Sequence, residues 1–224
     1  MKRVLIVDCA ANPLYTPKEH IRPFFAHVAH DFVSPEFEDL PENLSGYSHL
    51  VYSGSMCETY DEGEWQAKLY RFVEKMAEFD IPTLGICYGH QIIARTLLGD
   101  QTLRKKMSGD HGWEKVTVLR DDVLLGPQGT VWYPLVTHGY EVCNLSQNKA
   151  QIIASSKNCD TIAFKIIGKR IWGIQAHFEV SGNQAREFLG NFNLAITPRS
   201  FGYDYSDKTY AQHGSIFNRF IAQE

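Results

Sequence analysis

The stretch TLGICYGHQIIARTLLG runs from Thr83 to Gly99. TLGI reads as a short buried strand, and YGHQIIARTLLG reads as a helix closed by Gly99. The handover falls at Gly85-Ile86-Cys87-Tyr88-Gly89, which has the form of a nucleophile elbow with Cys in place of Ser. Small neighbours let the backbone bend there without a Cβ clash. Unpaired N–H groups at a helix N-terminus favour a thiolate over a thiol. The N–H of Tyr88, directly after the cysteine, is placed to face a developing oxyanion. A buried structural cysteine beside two helix-boundary glycines would read the same way. The stretch alone does not choose between the two.

The same alternation extends outward. VLIV (Val4 to Val7) reads as a buried first strand, and SHLVYSG ends a second strand at Gly54. EWQAKLYRFVEKMAEF places Trp65, Leu69, Phe72, Val73 and Met76 at helical spacing, with Pro82 soon after it. HIRPFFAHVA suggests a further helix, weakened by Pro23. Strands alternating with helices predict parallel βαβ units in an α/β fold. The second half is richer in strands: KVTVL, TVWYPLV, QIIAS, TIAFKII and RIWGIQ, with turns such as GPQG and IGKR between them. These either form antiparallel strands at one edge or return to the main sheet. SGNQAREFLGNFNLAI reads as a helix with Ser181 near its N-cap. Thr197 to Ser206 reads as a loop and HGSIFNRFIAQE as a terminal helix, and for the tail from Thr197 onward three readings stay open: a cover over the strand-end rim, a partner-binding segment, or a plain surface crossing. No repeat or linker divides the chain, so a single domain over 1–224 is expected.

The bulk composition bounds the function. The 224 residues are 44% hydrophobic, enough for a sizeable α/β core, and the net charge is -4. That balance gives no electrostatic footprint for nucleic acid. The short RKK at Arg104–Lys106 reads as a solvated strand end. Cys9, Cys57, Cys87, Cys143 and Cys159 are odd in number and form no CxxC pair. This argues against a disulfide framework or zinc knuckle and for a reducing compartment. Asp8 interrupts the apolar N-terminal run too early for a signal peptide. No apolar run approaches the ~20 residues that span a bilayer. A cytoplasmic protein without membrane contact is expected.

Ligands of parallel α/β sheets bind beyond the carboxyl ends of the strands. That rule selects the residues after TLGI, HLVYS and IWGIQ. A thiolate nucleophile wants a base, and the base wants an orienting carboxylate. GIQAHFEV supplies His177 and Glu179 on the correct rim. Residues two apart in an extended chain point to one side, about 6.5 Å apart along it. The carboxylate can then reach one imidazole nitrogen while the other faces the thiol. A strand-end His beside a solvated Glu gives the same short pattern. No second His or carboxylate cluster has ligand spacing, so neither a metal nor another cofactor is expected. His20, His27, His30, His49 and His213 carry no motif, and the other four cysteines read as small hydrophobes or incidental thiols.

GICYGHQ together with GIQAHFE resembles the class I glutamine amidotransferases, whose triad is Cys-His-Glu in that chain order. HLVYSGSMCETYD resembles that family's oxyanion strand, HGWEKVTV its GWE segment in GMP-synthetase-like members, and LVTHGYEV its SHGD segment. The resemblance covers Met1 to about Gly190. It implies a flavodoxin-like sheet flanked by helices, with a small antiparallel sheet beside it. It also implies that Cys87 attacks the side-chain amide of glutamine, that His177 moves the proton, and that Glu179 orients His177. The oxyanion would sit between the N–H of Tyr88 and a backbone N–H of the Gly54-Ser55 turn. Gln91 would contact glutamine, and the backbone around Thr137, His138, Gly139 and Tyr140 would hold its amino-acid end.

Two departures stand out. Phe178 replaces the proline of the usual HPE, which leaves the triad turn less constrained. Ser55 replaces a glycine, which costs strain if its φ must be positive. Three functions stay open: a glutaminase that passes ammonia to a separate synthetase, a stand-alone γ-glutamyl hydrolase or peptidase, and a non-catalytic module, against which the intact triad speaks.

Overall fold

A computed structural model describes residues 2–11, 15–196 and 207–224, with the side chains of 207–209 left aside. The loop expected over Thr197 to Ser206 lies outside the described residues.

The main sheet starts with β1 (Arg3–Val7), β2 (Ala29–Val33), β3 (His49–Tyr52), β4 (Thr83–Ile86) and β11 (Ile171–Ile174), all parallel, in the order β2-β1-β3-β4-β11. It continues antiparallel through β10 (Ala163–Ile166), β9 (Ala150–Ser155), β6 (Val116–Val118) and β7 (Val131–Trp132). A separate two-stranded sheet pairs β5 (Leu103–Trp113) with β8 (Leu135–Val142). Helices α1 (Pro17–Phe25), α2 (Glu64–Met76), α3 (Tyr88–Leu98), α4 (Gly182–Asn191) and α5 (Asp207–Ile221) complete the described elements. The fold is flavodoxin-like, with the small antiparallel sheet beside it. Central strands β3, β4 and β11 are buried along their whole length, so they read as unbroken apolar runs rather than alternating ones.

Several expected elements shift, each for a local reason. Pro23 lies inside α1 without ending it. The short helix is held by packing: Ile21 and Phe25 are buried, and Phe24 stacks on Phe217 of α5 at 4.4 Å between ring centroids. The chain then turns at once into β2, whose first residue, Ala29, closes the stretch read from the sequence as that helix. TVWYPLV is not one strand, since Pro134, which lacks the N–H a ladder needs, separates β7 from β8. RKK belongs to β5, an eleven-residue strand with no apolar signature. Its charges are met by pairing: Lys106 lies 2.6 Å from Asp110 and 3.3 Å from Glu141. The helix from Ser181 stops at Asn191, and α5 begins at Asp207 rather than at His213. Ser181 caps α4 in a capping box with Gln184. No helix among the described residues is long and apolar enough to cross a membrane.

Candidate active site

Three adjacent parallel strands deliver the site. β4 ends at Ile86 and hands the chain to α3 through Cys87, whose φ is 51° and ψ -101°. That conformation is strained for any residue with a Cβ, and it lifts the sulfur out of the strand line. The turn is held by hydrogen bonds from Cys87 N–H to the Ile174 carbonyl (2.8 Å) and from Gly89 N–H to the Ser53 carbonyl (3.1 Å). The elbow is therefore stitched to both neighbouring strand ends.

Beyond β11, His177 N–H donates to the Leu135 carbonyl at 2.8 Å, which anchors this turn to the second sheet. His177 Nδ1 lies 2.6 Å from Glu179 Oε1, and both side chains are buried. The other ring nitrogen, Nε2, is buried, and the ring interacts with the Cys87 sulfur both electrostatically and through a side-chain hydrogen bond. Burial works against a charge on His177. The Glu179 carboxylate, then the Cys87 sulfur, overcome it and push the pKa up to about 10. A proton on His177 is thus retained through neutral pH. The structure brings Cys87, His177 and Glu179 together as the sequence reading expects.

The turn after β3 lies against this group. A Cβ on Gly54 would stand 3.1 Å from His177 Cε1 and 2.6 Å from Tyr15 Oη, so only glycine fits. Ser55 is not among the residues with positive φ, and the strain expected there is absent. Its hydroxyl instead accepts the Cys57 N–H at 3.0 Å and shapes the turn.

The remaining expected residues line β8 and α3. Cys87 Sγ donates weakly to the Thr137 carbonyl at 3.7 Å, and Thr137 Oγ1 meets His111 Nδ1 at 2.9 Å. His138 is buried, its Nδ1 bonded to the Tyr140 carbonyl at 2.8 Å, and burial lowers its pKa to about 4. Tyr140 donates its hydroxyl to Glu58 at 2.9 Å. Gly139 lies between them with open space over its Cα. Gln91 is buried with its amide committed to protein. It accepts from Thr59 and donates to the Tyr140 carbonyl (3.2 Å) and Gln175 Oε1 (3.1 Å). In this arrangement Gln91 ties α3 to β8 behind the elbow.

Sequence reasoning missed what stands behind the triad. Phe178 is buried, with its ring edge-on to Trp132 (5.8 Å) and His213 (4.9 Å). His213 also hydrogen-bonds the Phe178 backbone, and Tyr210 donates to the Glu179 carbonyl at 3.4 Å. The triad turn is thus constrained by packing where a proline would constrain it by its ring, which corrects the expectation of a looser turn. The described part of the tail packs behind the turn that carries His177 and Glu179. The signal for this, the apolar face of α5, was visible in the sequence, but its partner was not.

Residues 6–196 match the family described as glutamine amidotransferase class-I. The chain belongs to the class-I glutamine amidotransferases. It is similar to the glutamine-hydrolysing GMP synthase of Porphyromonas gingivalis, at 32% identity over 86% of this chain and 36% of that protein. It is also similar to a protein of Methanosarcina mazei named as one subunit of a glutamine-hydrolysing GMP synthase, with 40% identity over 71% of this chain and 78% of the relative. A third relative is gamma-glutamyl peptidase 3 of Arabidopsis thaliana, at 32% identity over 75% of this chain and 69% of the relative. The chain thus spans about a third of the Porphyromonas protein and most of the other two. Among solved structures, a glutamine amidotransferase from Methylobacillus flagellatus superposes with a TM-score of 0.81 over 99% of this chain and 95% of that one, at 17% identity. This amidotransferase shares that fold.

Proposed function

We propose that this chain hydrolyses the side-chain amide of glutamine to glutamate and ammonia through a Cys87 thioester. The observation that carries this is the buried 2.6 Å pair of His177 and Glu179 beside a strained elbow cysteine. The Cys87 thiolate, paired with protonated His177, attacks the γ-carbonyl carbon while the Tyr88 N–H and an N–H of the Gly54-Ser55 turn receive the oxyanion. His177 gives its proton to the departing nitrogen, and the C–N bond breaks to leave the thioester. A water then gives a proton to His177 and its oxygen to the carbonyl carbon, the C–S bond breaks, and glutamate leaves. Gln91 supports the wall, and the backbone from Thr137 to Tyr140 holds the amino-acid end.

The relatives named as single subunits of GMP synthase support a two-protein arrangement, in which a separate synthetase receives the ammonia. On this reading residues 1–224 act as one cytoplasmic domain needing no metal or cofactor. The peptidase relatives support a second reading, γ-glutamyl hydrolysis with the same triad. Glutamate release from glutamine and from γ-glutamyl dipeptides by the purified chain separates the two. Preference for glutamine, abolished by Cys87→Ala, supports the first; preference for dipeptides replaces it with the second.

A further inference from the structure

Two side chains of α3, one turn apart, hold the same residue of the loop after β3. Thr59 is fully buried. Its hydroxyl donates to Gln91 Oε1, and its carbonyl accepts from the Arg95 guanidinium and the Tyr70 hydroxyl. The guanidinium itself is held on several sides. Its Nε donates to Asp100 Oδ1 at 2.7 Å, and the nitrogen that meets Thr59 also meets the Tyr70 hydroxyl at 3.1 Å. It lies 4.6 Å from the Tyr60 ring centroid and 4.9 Å from that of Tyr70. The Tyr60 hydroxyl donates to the Asp100 carbonyl at 3.0 Å, which closes the arrangement. Thr59 in turn decides which way the Gln91 amide faces. With Oε1 taken by the Thr59 hydroxyl, Nε2 is left to donate to the Tyr140 carbonyl (3.2 Å) and to Gln175 Oε1 (3.1 Å). The Gly54-Ser55 turn is tied separately, by the Ser55 hydroxyl to the Cys57 N–H and by the Gly89 N–H to the Ser53 carbonyl.

We propose that Arg95 is a positioning residue for substrate affinity, acting through Thr59 and Gln91 on the β8 backbone that holds the amino-acid end of glutamine. The inference rests on the glutamine-hydrolysing reading above. Arg95 fixes the Thr59 carbonyl, Thr59 fixes the Gln91 amide, and Gln91 fixes the Tyr140 carbonyl. The side chains of this relay make their contacts away from those of Cys87, His177 and Glu179, so its loss falls on KM rather than on kcat. Lysine does not substitute for Arg95. Its ammonium keeps the charge, but it lacks the planar fork that meets Asp100 and Thr59 together while facing two rings.

The test measures KM and kcat for glutamine in the wild type, Arg95→Met, Arg95→Lys, Thr59→Val and the double variant Arg95→Met/Thr59→Val. Each single change is expected to raise KM about tenfold while kcat changes less than about threefold, the pattern of lost ground-state binding. The double variant is expected to raise KM no further than the larger single change, because both cut one relay. If Arg95→Met does not fold, Arg95→Lys and its double with Thr59→Val carry the same comparison. A KM within about twofold of wild type in every folded Arg95 variant overturns the relay, as does a wild-type KM in Arg95→Lys alone. KM shifts that multiply in the double variant overturn it too, since Arg95 then acts by a route that bypasses Thr59. In each of these cases wild-type turnover of glutamine leaves the glutaminase reading standing. A wild type that hydrolyses no γ-amide removes that reading and the relay's role with it.

Discussion

A Cβ on Gly85 would stand inside the van der Waals shell of the Gly89 carbonyl. The last turn of the strand and the first turn of the helix are thus in backbone contact across the nucleophile. Neither the Gly89 carbonyl nor Ile93 Cδ1, 2.6 Å from the same point, has room to retreat in a buried core. Gly85→Ala is expected to cost about 1–3 kcal/mol, as overpacking does, and to displace the sulfur. Chemical denaturation, with glutamate release measured in parallel, checks both effects.

Cys87→Ala is expected to reduce glutamate release by about 10⁴-fold or more, because triad members act as a unit. The elbow adds a second expectation. With φ at 51° and ψ at -101°, the strain falls on any side chain there, at about 1–3 kcal/mol. Cys87→Gly, equally inactive, is therefore expected to be more stable than Cys87→Ala. Thermal melts of the two inactive variants decide this, and a lower melting point for the glycine variant would contradict the strained geometry.

His177 carries a pH signature. Its folded pKa of about 10 lies above the ordinary 6.5. The stabilisation from its proton is therefore complete below pH 6.5 and is lost as pH rises through about 10. Glu179→Gln removes the carboxylate that holds this proton. The variant is expected to be less stable than wild type at neutral pH, with the gap closing above pH 10. The alkaline limb of kcat/KM moves to lower pH in the variant, and the rate falls less than in Cys87→Ala. Stability and rate profiles from about pH 6 to 11 test the sign.

Phe178 carries a structural prediction. Phe178→Ala opens a cavity between Trp132 and His213 and is expected to cost about 3–5 kcal/mol. It also frees the turn that fixes His177 and Glu179, so kcat falls in the molecules that stay folded. Phe178→Leu refills part of the space and restores part of both losses. Unfolding curves and active-site titration separate stability from rate.

The parallel strands β1, β3, β4 and β11 were legible because they are buried almost throughout and helices α2 and α3 flank them as apolar helical patterns. The half-exposed β2 carries no such pattern and does not read as a strand. The grouping of Cys87, His177 and Glu179 was legible for a related reason: the strand-end rule pointed to Cys87 and His177 before any contact was known. What escaped depends on partners far away in the chain. β5 looked polar because Lys106 meets Glu141, the second of its carboxylates, only after pairing with β8. Phe178 looked like a loosening substitution because the rings that grip it belong to β7 and α5. Tyr15 follows the end of β1, which lies on the same rim, but no local pattern distinguishes it from any other tyrosine.

Ile216, Phe217, Phe220 and Ile221 of α5 belong to the same apolar cluster as Phe178 and Ile174, while the family match stops at residue 196. An expression boundary drawn at the edge of that similarity would strip the rear wall from the catalytic turn while leaving every triad residue in place. Such a fragment would carry a complete catalytic signature and too little buried surface to keep it assembled. In alignments of family segments alone, this dependence would be invisible.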